Sequence, residues 1–111
     1  MKVALTTTGR KSGQPRQVTL YAYEDRDRLV IVGSFGGAPK DPDWAANLRA
    51  VARATVRRGR RKSEVTAHEV EGPERVRLWE LVCAEFPLYE TYQGRTKRVI
   101  PLFVLEPVTD G

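Results

Sequence analysis

The alternation of hydrophobic and polar positions in the first third of the chain predicts three short strands. Residues 3–8 form the first, and a polar, turn-rich stretch separates it from residues 16–23, where Val18, Leu20 and Ala22 share one face. Residues 29–32 are continuously apolar, which is typical of a buried strand. Because the connections are too short for parallel crossovers, we expect an antiparallel meander.

Glycine and proline interrupt this pattern at residues 33–39, and a short helix is predicted to follow. Asp41 is the expected N-cap, Pro42 occupies the first helical position, and the helix should extend to Val51. Residues 54–58 and 62–71 alternate around Gly59 and predict a second hairpin.

The last third of the sequence predicts two helical segments and a closing strand. Gly72 and Pro73 begin a helix whose apolar stripe consists of Trp79, Val82, Cys83 and Phe86. Pro87 interrupts it, residues 88–95 add a turn or two, and residues 99–106 form the last strand. Six strands with helices between hairpins predict one α+β domain, residues 1–111, built on a small antiparallel barrel.

Composition excludes several classes of protein. The chain has 111 residues, a single cysteine (Cys83) and a single histidine (His68). One cysteine excludes a disulfide framework and favours a reducing compartment, and one histidine disfavours a metal centre or a Ser-His-Asp triad. No run approaches the roughly 18 apolar residues of a membrane span, and the N-terminus lacks the apolar core of a signal peptide. We therefore expect a cytoplasmic protein.

The net charge of +5 is unevenly distributed. One basic group consists of Lys2, Arg10, Lys11 and Arg16. A second consists of Arg49, Arg53, Arg57, Arg58, Arg60, Arg61 and Lys62. This asymmetry favours an anionic partner. The alternative for residues 57–62 is a solvated hairpin tip whose charges prevent edge-to-edge association.

Two glycine-containing loops carry the candidate binding chemistry. In GRKSGQPR, residues 9–16, arginine and lysine side chains and free backbone N–H groups suit phosphate oxygens, although the spacing is not that of a Walker loop. In GSFGGAPKDPDW, residues 33–44, a ligand can approach the backbone at Gly36 and Gly37. Taken alone, the first loop is typical of a charged hairpin turn slightly more than of a phosphate site. Together the loops indicate an anionic cofactor with a flat ring, for which Trp44 would supply an apolar wall.

An aromatic cluster is the third candidate feature. Phe86, Tyr89 and Tyr92 are spaced three apart and share one face of a helical turn. Such a cluster can be core packing, or it can line a pocket for a planar substrate while its hydroxyls donate hydrogen bonds.

With these segments in place, the sequence resembles the deazaflavin-dependent nitroreductases, a family of small quinone and nitro-compound reductases that use coenzyme F420. The resemblance spans nearly the whole chain and is carried by TTTGRKSGQPR (6–16), GSFGGAPKDPDWAANL (33–48), EFPLYETYQGRT (85–96) and IPLFVLEP (100–107). It implies a split β-barrel and an oxidoreductase that transfers a hydride from reduced F420 to a planar conjugated acceptor, namely a quinone, a nitroaromatic or an enone.

The resemblance also implies roles for individual residues. The cofactor's phosphate and acidic tail would contact Arg10, Lys11, Ser12 and Arg16. Its ring and ribityl region would contact Val32, Gly33, Ser34, Gly36, Gly37, Trp44 and Asn47. The acceptor would face Tyr21, Phe86, Tyr89 and Tyr92, and the catalytic hydroxyls would be those of Tyr92, Tyr89 and Ser34. Phe35 stands where family members often carry a lysine that contacts the cofactor.

Two alternatives and the choice of partners complete the expectations. FMN could replace F420 in a related split barrel, or residues 49–62 could bind nucleic acid, although that segment lacks aromatic residues for base stacking. We expect a small-molecule acceptor, no metal, no nucleic acid and at most peripheral membrane contact. The sequence leaves monomer and homodimer open.

Overall fold

The computed structural model describes residues 1–108, and its framework is a closed barrel of six antiparallel strands. The strands are β1 (Lys2–Thr8), β2 (Pro15–Asp25), β3 (Arg28–Val32), β4 (Arg53–Arg58), β5 (Arg61–Glu69) and β6 (Leu102–Pro107). Around the barrel their order is β1-β2-β3-β6-β5-β4, and pairing of β1 with β4 closes it. The predicted meander and second hairpin are both confirmed.

The last strand begins later than predicted, at Leu102 instead of residue 99. Val99 is exposed, and the backbone N–H of Ile100 donates to Oε1 of Gln93 at 2.9 Å. Pro101 has no N–H to donate. The ladder with β3 therefore starts at Leu102, which pairs with Val32.

A short helix, α1 (Asp43–Ala50), closes one end of the barrel interior. Its side chains Trp44, Ala45 and Leu48 join the inward-facing residues of the strands in one core, among them Leu5 and Phe103. The prediction that Asp41 caps this helix is wrong. Pro42 is the N-cap residue, and the Asp41 carboxylate instead pairs with two arginines.

Two further helices, α2 (Gly72–Glu85) and α3 (Leu88–Gly94), cover the outer face of β3 and β6. The predicted apolar stripe of α2 is only partly correct. Val82 is fully buried, as is Leu78, which the prediction omitted, whereas Trp79, Cys83 and Phe86 are half-buried at the margin of this outer core. Within residues 1–108 no helix is both long enough and apolar enough to cross a membrane.

A buried carboxylate fastens α2 to the barrel. Asp25, at the end of β2, is only 6% exposed. Its two oxygens accept from Nη1 and Nη2 of Arg77 at 3.0 Å each, and Oδ2 also accepts from Arg28 at 2.6 Å. Arg28 in turn donates to Glu74 at 2.9 Å. These arginines, Arg77 foremost, hold the pKa of the Asp25 carboxyl far below its ordinary value.

We predict that Asp25→Asn lowers the free energy of unfolding by about 2 kcal/mol at pH 7, because it removes the buried carboxylate that two arginines share. A carboxyl whose pKa is depressed in the folded state stabilises the fold at pH values above its ordinary pKa of roughly 4. This stabilisation is lost as the pH falls below that ordinary pKa. The difference in the free energy of unfolding between wild type and variant should therefore be constant near neutral pH and become smaller below about pH 4. Urea denaturation across that pH range measures it.

Glu24→Gln is the matched control. Glu24 pairs with Arg58 at 3.0 Å, but both side chains are more than half exposed, so the loss should be at most about 1 kcal/mol. Equal losses from the two substitutions would contradict the special role of Asp25.

Candidate functional site

A cleft of about 540 Å³ opens beside α1, between the β1–β2 turn and a 3₁₀ turn, Phe35–Gly37. Its volume lies within the range typical of small-molecule sites. Six of the predicted site residues line it: Arg10, Lys11, Ser12, Arg16, Trp44 and Asn47. Phe35 and Val18, for which we predicted no cofactor role, line it as well.

The β1–β2 turn is shaped by glycine and by its own serine. The N–H of Gly9 donates to the carbonyl of Gln14 at 2.8 Å, and a Cβ at Gly9 would lie 2.7 Å from Oγ of Ser12. Gly13 adopts a φ of +72°, a conformation that favours glycine. Oγ of Ser12 accepts from the N–H of Gln14 at 3.1 Å. Ser12 therefore helps to form the turn in addition to lining the cleft.

Asn47 fastens this turn to α1. The side chain is 3% exposed, and its Nδ2 donates to Oγ1 of Thr7 at 3.2 Å. Its Oδ1 accepts from the backbone N–H of Arg10 at 3.1 Å and from Nη1 of Arg10 at 2.9 Å. The guanidinium of Arg10 is thus engaged within the protein. In residues 1–108 neither Lys11 nor Arg16 pairs with a carboxylate, so these two cations line the cleft uncompensated. Asp43, the carboxylate that also lines the cleft, pairs with Arg10 at 3.5 Å.

Arg98 fastens the loop of residues 33–41, which carries Phe35 on the opposite wall, and sequence reasoning assigned it no role. Its guanidinium is 13% exposed and makes four hydrogen bonds. The acceptors are the carbonyl oxygens of Ala38 (2.8 Å), Gly33 (3.1 Å) and Ser34 (2.8 Å) and the Asp41 carboxylate (2.8 Å). No local pattern marks Arg98, because its acceptors lie about 60 residues earlier in the chain.

The remaining glycine-loop residues of the predicted site lie beside the cleft instead of lining it in the described part of the chain. Val32 belongs to the outer core, a Cβ at Gly33 would lie 2.7 Å from Pro101, and one at Gly37 would lie 2.8 Å from the Tyr92 carbonyl oxygen. Gly36 differs: its φ is +62°, and no heavy atom lies within 4 Å of where a Cβ would stand. Its backbone is therefore open to a ligand.

The aromatic cluster, Phe86 at the end of α2 with Tyr89 and Tyr92 on α3, packs against the barrel and, within residues 1–108, does not line this cleft. Tyr89 is 6% exposed, and its hydroxyl lies 2.7 Å from the hydroxyl of Tyr23. Burial, followed by this hydrogen bond, raises the pKa of Tyr89 well above its ordinary value. The centroid of the Phe86 ring lies 4.8 Å from the ring centroid of Tyr89 and 6.2 Å from that of Tyr92. Sequence reasoning missed Tyr23, although it shares the outward face of β2 with Tyr21.

Tyr21 is far from the basic end of the cleft. It is 55% exposed, pairs across strands with Lys2 and lies five positions along β2 from Arg16, roughly 17 Å away. Tyr21 is thus separated from the basic end of the cleft, and it is Tyr23, two positions further along the same face of β2, that contacts Tyr89 on α3.

The second basic group is partly neutralised. Arg49 donates to Glu69 at 2.7 Å and to Asp41 at 2.8 Å, and Arg58 pairs with Glu24. The β4–β5 hairpin tip, with Gly59 and Arg60 at its turn, is exposed. In the part of the chain that the structure describes, no three His, Cys, Asp or Glu side chains are grouped so as to hold a metal ion.

Comparison with known sequences adds an independent line of evidence. Residues 1–107 match the family described as F420H(2)-dependent quinone reductase. An F420H(2)-dependent quinone reductase of Mycobacterium tuberculosis is 40% identical over 104 residues, which cover 91% of this chain and 70% of that protein.

Comparison with solved structures agrees. The structure of an F420-H2 dependent reductase, FDR-A, superposes with a TM-score of 0.86 at 40% identity, covering 95% of this chain and 93% of that one. A structure described as a domain-swapped dimer superposes equally well, with a TM-score of 0.86 at 40% identity over 95% of this chain and 79% of that one. The predicted split β-barrel is confirmed.

We predict that Arg98→Lys destabilises the cleft wall, because a single ammonium cannot reach acceptors that the planar guanidinium contacts together. The free energy of unfolding should fall by about 2 kcal/mol. Amide hydrogen exchange at residues 33–41 should accelerate more than exchange in the barrel strands. Arg60→Lys, at the exposed hairpin tip, is the matched control and should change neither quantity. Unchanged exchange in the Arg98 variant would show that the loop holds its shape without this side chain.

Proposed function

The chain belongs to the F420H2-dependent quinone reductase family, and we propose that the cleft beside α1 holds coenzyme F420 while a hydride passes to a planar conjugated acceptor. The protein is accordingly an F420H2-dependent oxidoreductase. Of the three acceptor classes, a quinone agrees with the family. The observation that carries the assignment of the cleft is the pair of uncompensated cations, Lys11 and Arg16, on its wall.

The residues of the cleft fit the chemistry of this cofactor. Lys11 and Arg16 suit the phosphate and the acidic tail, since charge-assisted hydrogen bonds to anions are the strong ones. Beside the cleft, the open backbone at Gly36 permits close approach of a ligand. Trp44, Val18 and Phe35 provide apolar surface for a flat ring. Arg10 and Asn47 contribute by holding the β1–β2 turn in place.

The reduced deazaflavin, when bound, supplies the hydride, and the protein's part is to bind, orient and stabilise charge. Hydride addition to a quinone or nitroaromatic leaves negative charge on oxygen, which a hydrogen-bond donor stabilises. Among the predicted hydroxyls, that of Tyr89 already bonds to Tyr23. Within residues 1–108 the hydroxyl of Tyr92 has no partner, and the Tyr92 backbone packs against Gly37 of the cleft-wall turn. We therefore assign the donor role to Tyr92, with Ser34 as the second candidate.

We further propose a cytoplasmic location, which rests on cysteine usage alone: the chain has a single cysteine, as is usual in reducing compartments.

We predict that oxidised F420 binds the purified protein more tightly than FMN or a single-stranded oligonucleotide does. Titrations of the three ligands against the same sample, followed by tryptophan emission and by dialysis, compare the proposed function with its two rivals. Tight binding of FMN without binding of F420 would favour the FMN-binding alternative. Strong, steeply salt-dependent binding of the oligonucleotide alone would favour the nucleic-acid alternative.

Within the same experiment, replacing both Lys11 and Arg16 by alanine should weaken F420 binding by about 3 kcal/mol, roughly 100-fold, because two charge-assisted contacts are lost. The salt dependence of binding should also decrease. The control carries Arg60→Ala and Arg61→Ala, an equal change in charge at the hairpin tip outside the cleft. If the two double variants bind F420 equally well, Lys11 and Arg16 do not hold the cofactor.

We predict that Tyr92→Phe lowers kcat about fivefold with a quinone acceptor, because one hydrogen bond to the developing oxyanion is lost. The tyrosine orients and donates without obligatory proton transfer, since a neutral phenol is a weak acid. Affinity for oxidised F420, which does not require this contact, should stay unchanged and serves as the internal control. Unchanged kcat with quinone, nitroaromatic and enone acceptors would reject the role.

A further inference from the structure

Phe35 adopts a backbone conformation that its side chain disfavours. Its φ is +45°, in the left-handed region where a Cβ crowds the carbonyl oxygen. For a bulky residue this is a genuine outlier. Its ring is also 57% exposed, although a large apolar side chain gains free energy by burial. Backbone strain and apolar exposure thus coincide at one residue on the wall of the cleft.

The surrounding loop imposes this conformation. Arg98 holds the carbonyls of Gly33 and Ser34 before Phe35 and of Ala38 after it. Gly37 is packed against the Tyr92 backbone, and the N–H of Ala38 donates to the carbonyl of Phe35 at 3.0 Å. With both flanks held, the backbone at Phe35 is fixed, and its side chain lines the cleft.

The Phe35 ring has no stacking partner in the described part of the chain. The ring pairs with no other aromatic side chain, and no cation lies over it. The cleft that it lines also contains Lys11 and Arg16, the proposed phosphate contacts, and the apolar wall of Trp44. A planar ligand anchored by its anionic end would bring its ring into the apolar part of the same cleft.

We propose that Phe35 is a cofactor-binding residue whose ring stacks on the planar ring of the deazaflavin. This inference rests on the proposed function. Stacking of two aromatic systems does not depend on ionic strength, unlike the ionic contact of the lysine that family members often carry here. The free energy of F420 binding therefore has two parts in this protein. Lys11 and Arg16 contribute a part that depends on salt, and Phe35 contributes a part that does not.

The test compares oxidised F420 binding by Phe35→Gly, Phe35→Asn and Phe35→Lys at low and high ionic strength. Glycine and asparagine both accept a positive φ and lack the ring. Both variants should bind roughly tenfold more weakly at either ionic strength, the loss of one stacked aromatic contact. Phe35→Lys should bind almost as well as wild type at low salt and lose more affinity than wild type at high salt. The melting temperature of Phe35→Gly should not fall, since glycine relieves the strain.

Arg26→Gly is the matched control for strain relief. Arg26 is the other non-glycine residue with a positive φ in residues 1–108, at +62°, and it lies in the β2–β3 turn away from the cleft. The affinity of the Arg26→Gly variant for oxidised F420 should equal that of wild type.

Three outcomes would overturn the inference. If the glycine and asparagine variants bind oxidised F420 as wild type does, Phe35 does not contact the cofactor, and a raised KM for the acceptor would then place the ring at the acceptor. If the loss of affinity parallels a fall in melting temperature, the role of Phe35 is structural. If the Phe35→Lys variant shows the same salt dependence as wild type, the division into two parts is wrong. Failure of wild type to bind F420 would instead reject the proposed function.

Discussion

The hydrogen bonds of Arg98 determine the shape of the loop on which the cleft depends. One planar guanidinium holds carbonyls on both sides of Phe35 and also the carboxylate of Asp41. Asp41 continues the network to Arg49, which donates to Glu69 on β5. The glycine-rich wall is thereby tied to α1 and to the barrel. A loop this rich in glycine would otherwise sample many conformations, and the free energy of binding a ligand would have to offset that entropy.

On the opposite wall Asn47 holds the β1–β2 turn in place, as Arg98 holds the loop that carries Phe35. A buried amide and the guanidinium of Arg10 satisfy each other and hold the β1–β2 turn. Lys11 and Arg16, on the same turn, are left without carboxylate partners in residues 1–108. Positioning and ligand binding are thus assigned to different side chains. This arrangement preorganises a basic site, which lowers the ordering cost of binding an anion.

The outcomes at individual elements show which expectations were accessible from sequence. The strands were predicted well, because side chains alternate between the two faces of a strand whatever lies beyond. The predictions that Asp41 caps α1 and that the last strand starts at residue 99 were wrong. Arg98, 57 residues away, holds the Asp41 carboxylate, and the side chain of Gln93 binds the backbone N–H of Ile100. The predicted apolar stripe of α2 was only partly correct because it omitted Leu78, which is fully buried against the outer face of the barrel.

By itself the sequence determined the antiparallel barrel, the two glycine loops and the family, because these depend on periodicity, on glycine and proline positions and on the order of several motifs. Only the tertiary structure decided which charged and aromatic side chains are engaged. Arg10 faces Asn47, and Tyr89 faces Tyr23, across 37 and 66 residues of chain respectively. Such pairings arise when the closed barrel brings distant segments within hydrogen-bonding distance, and no local pattern encodes them.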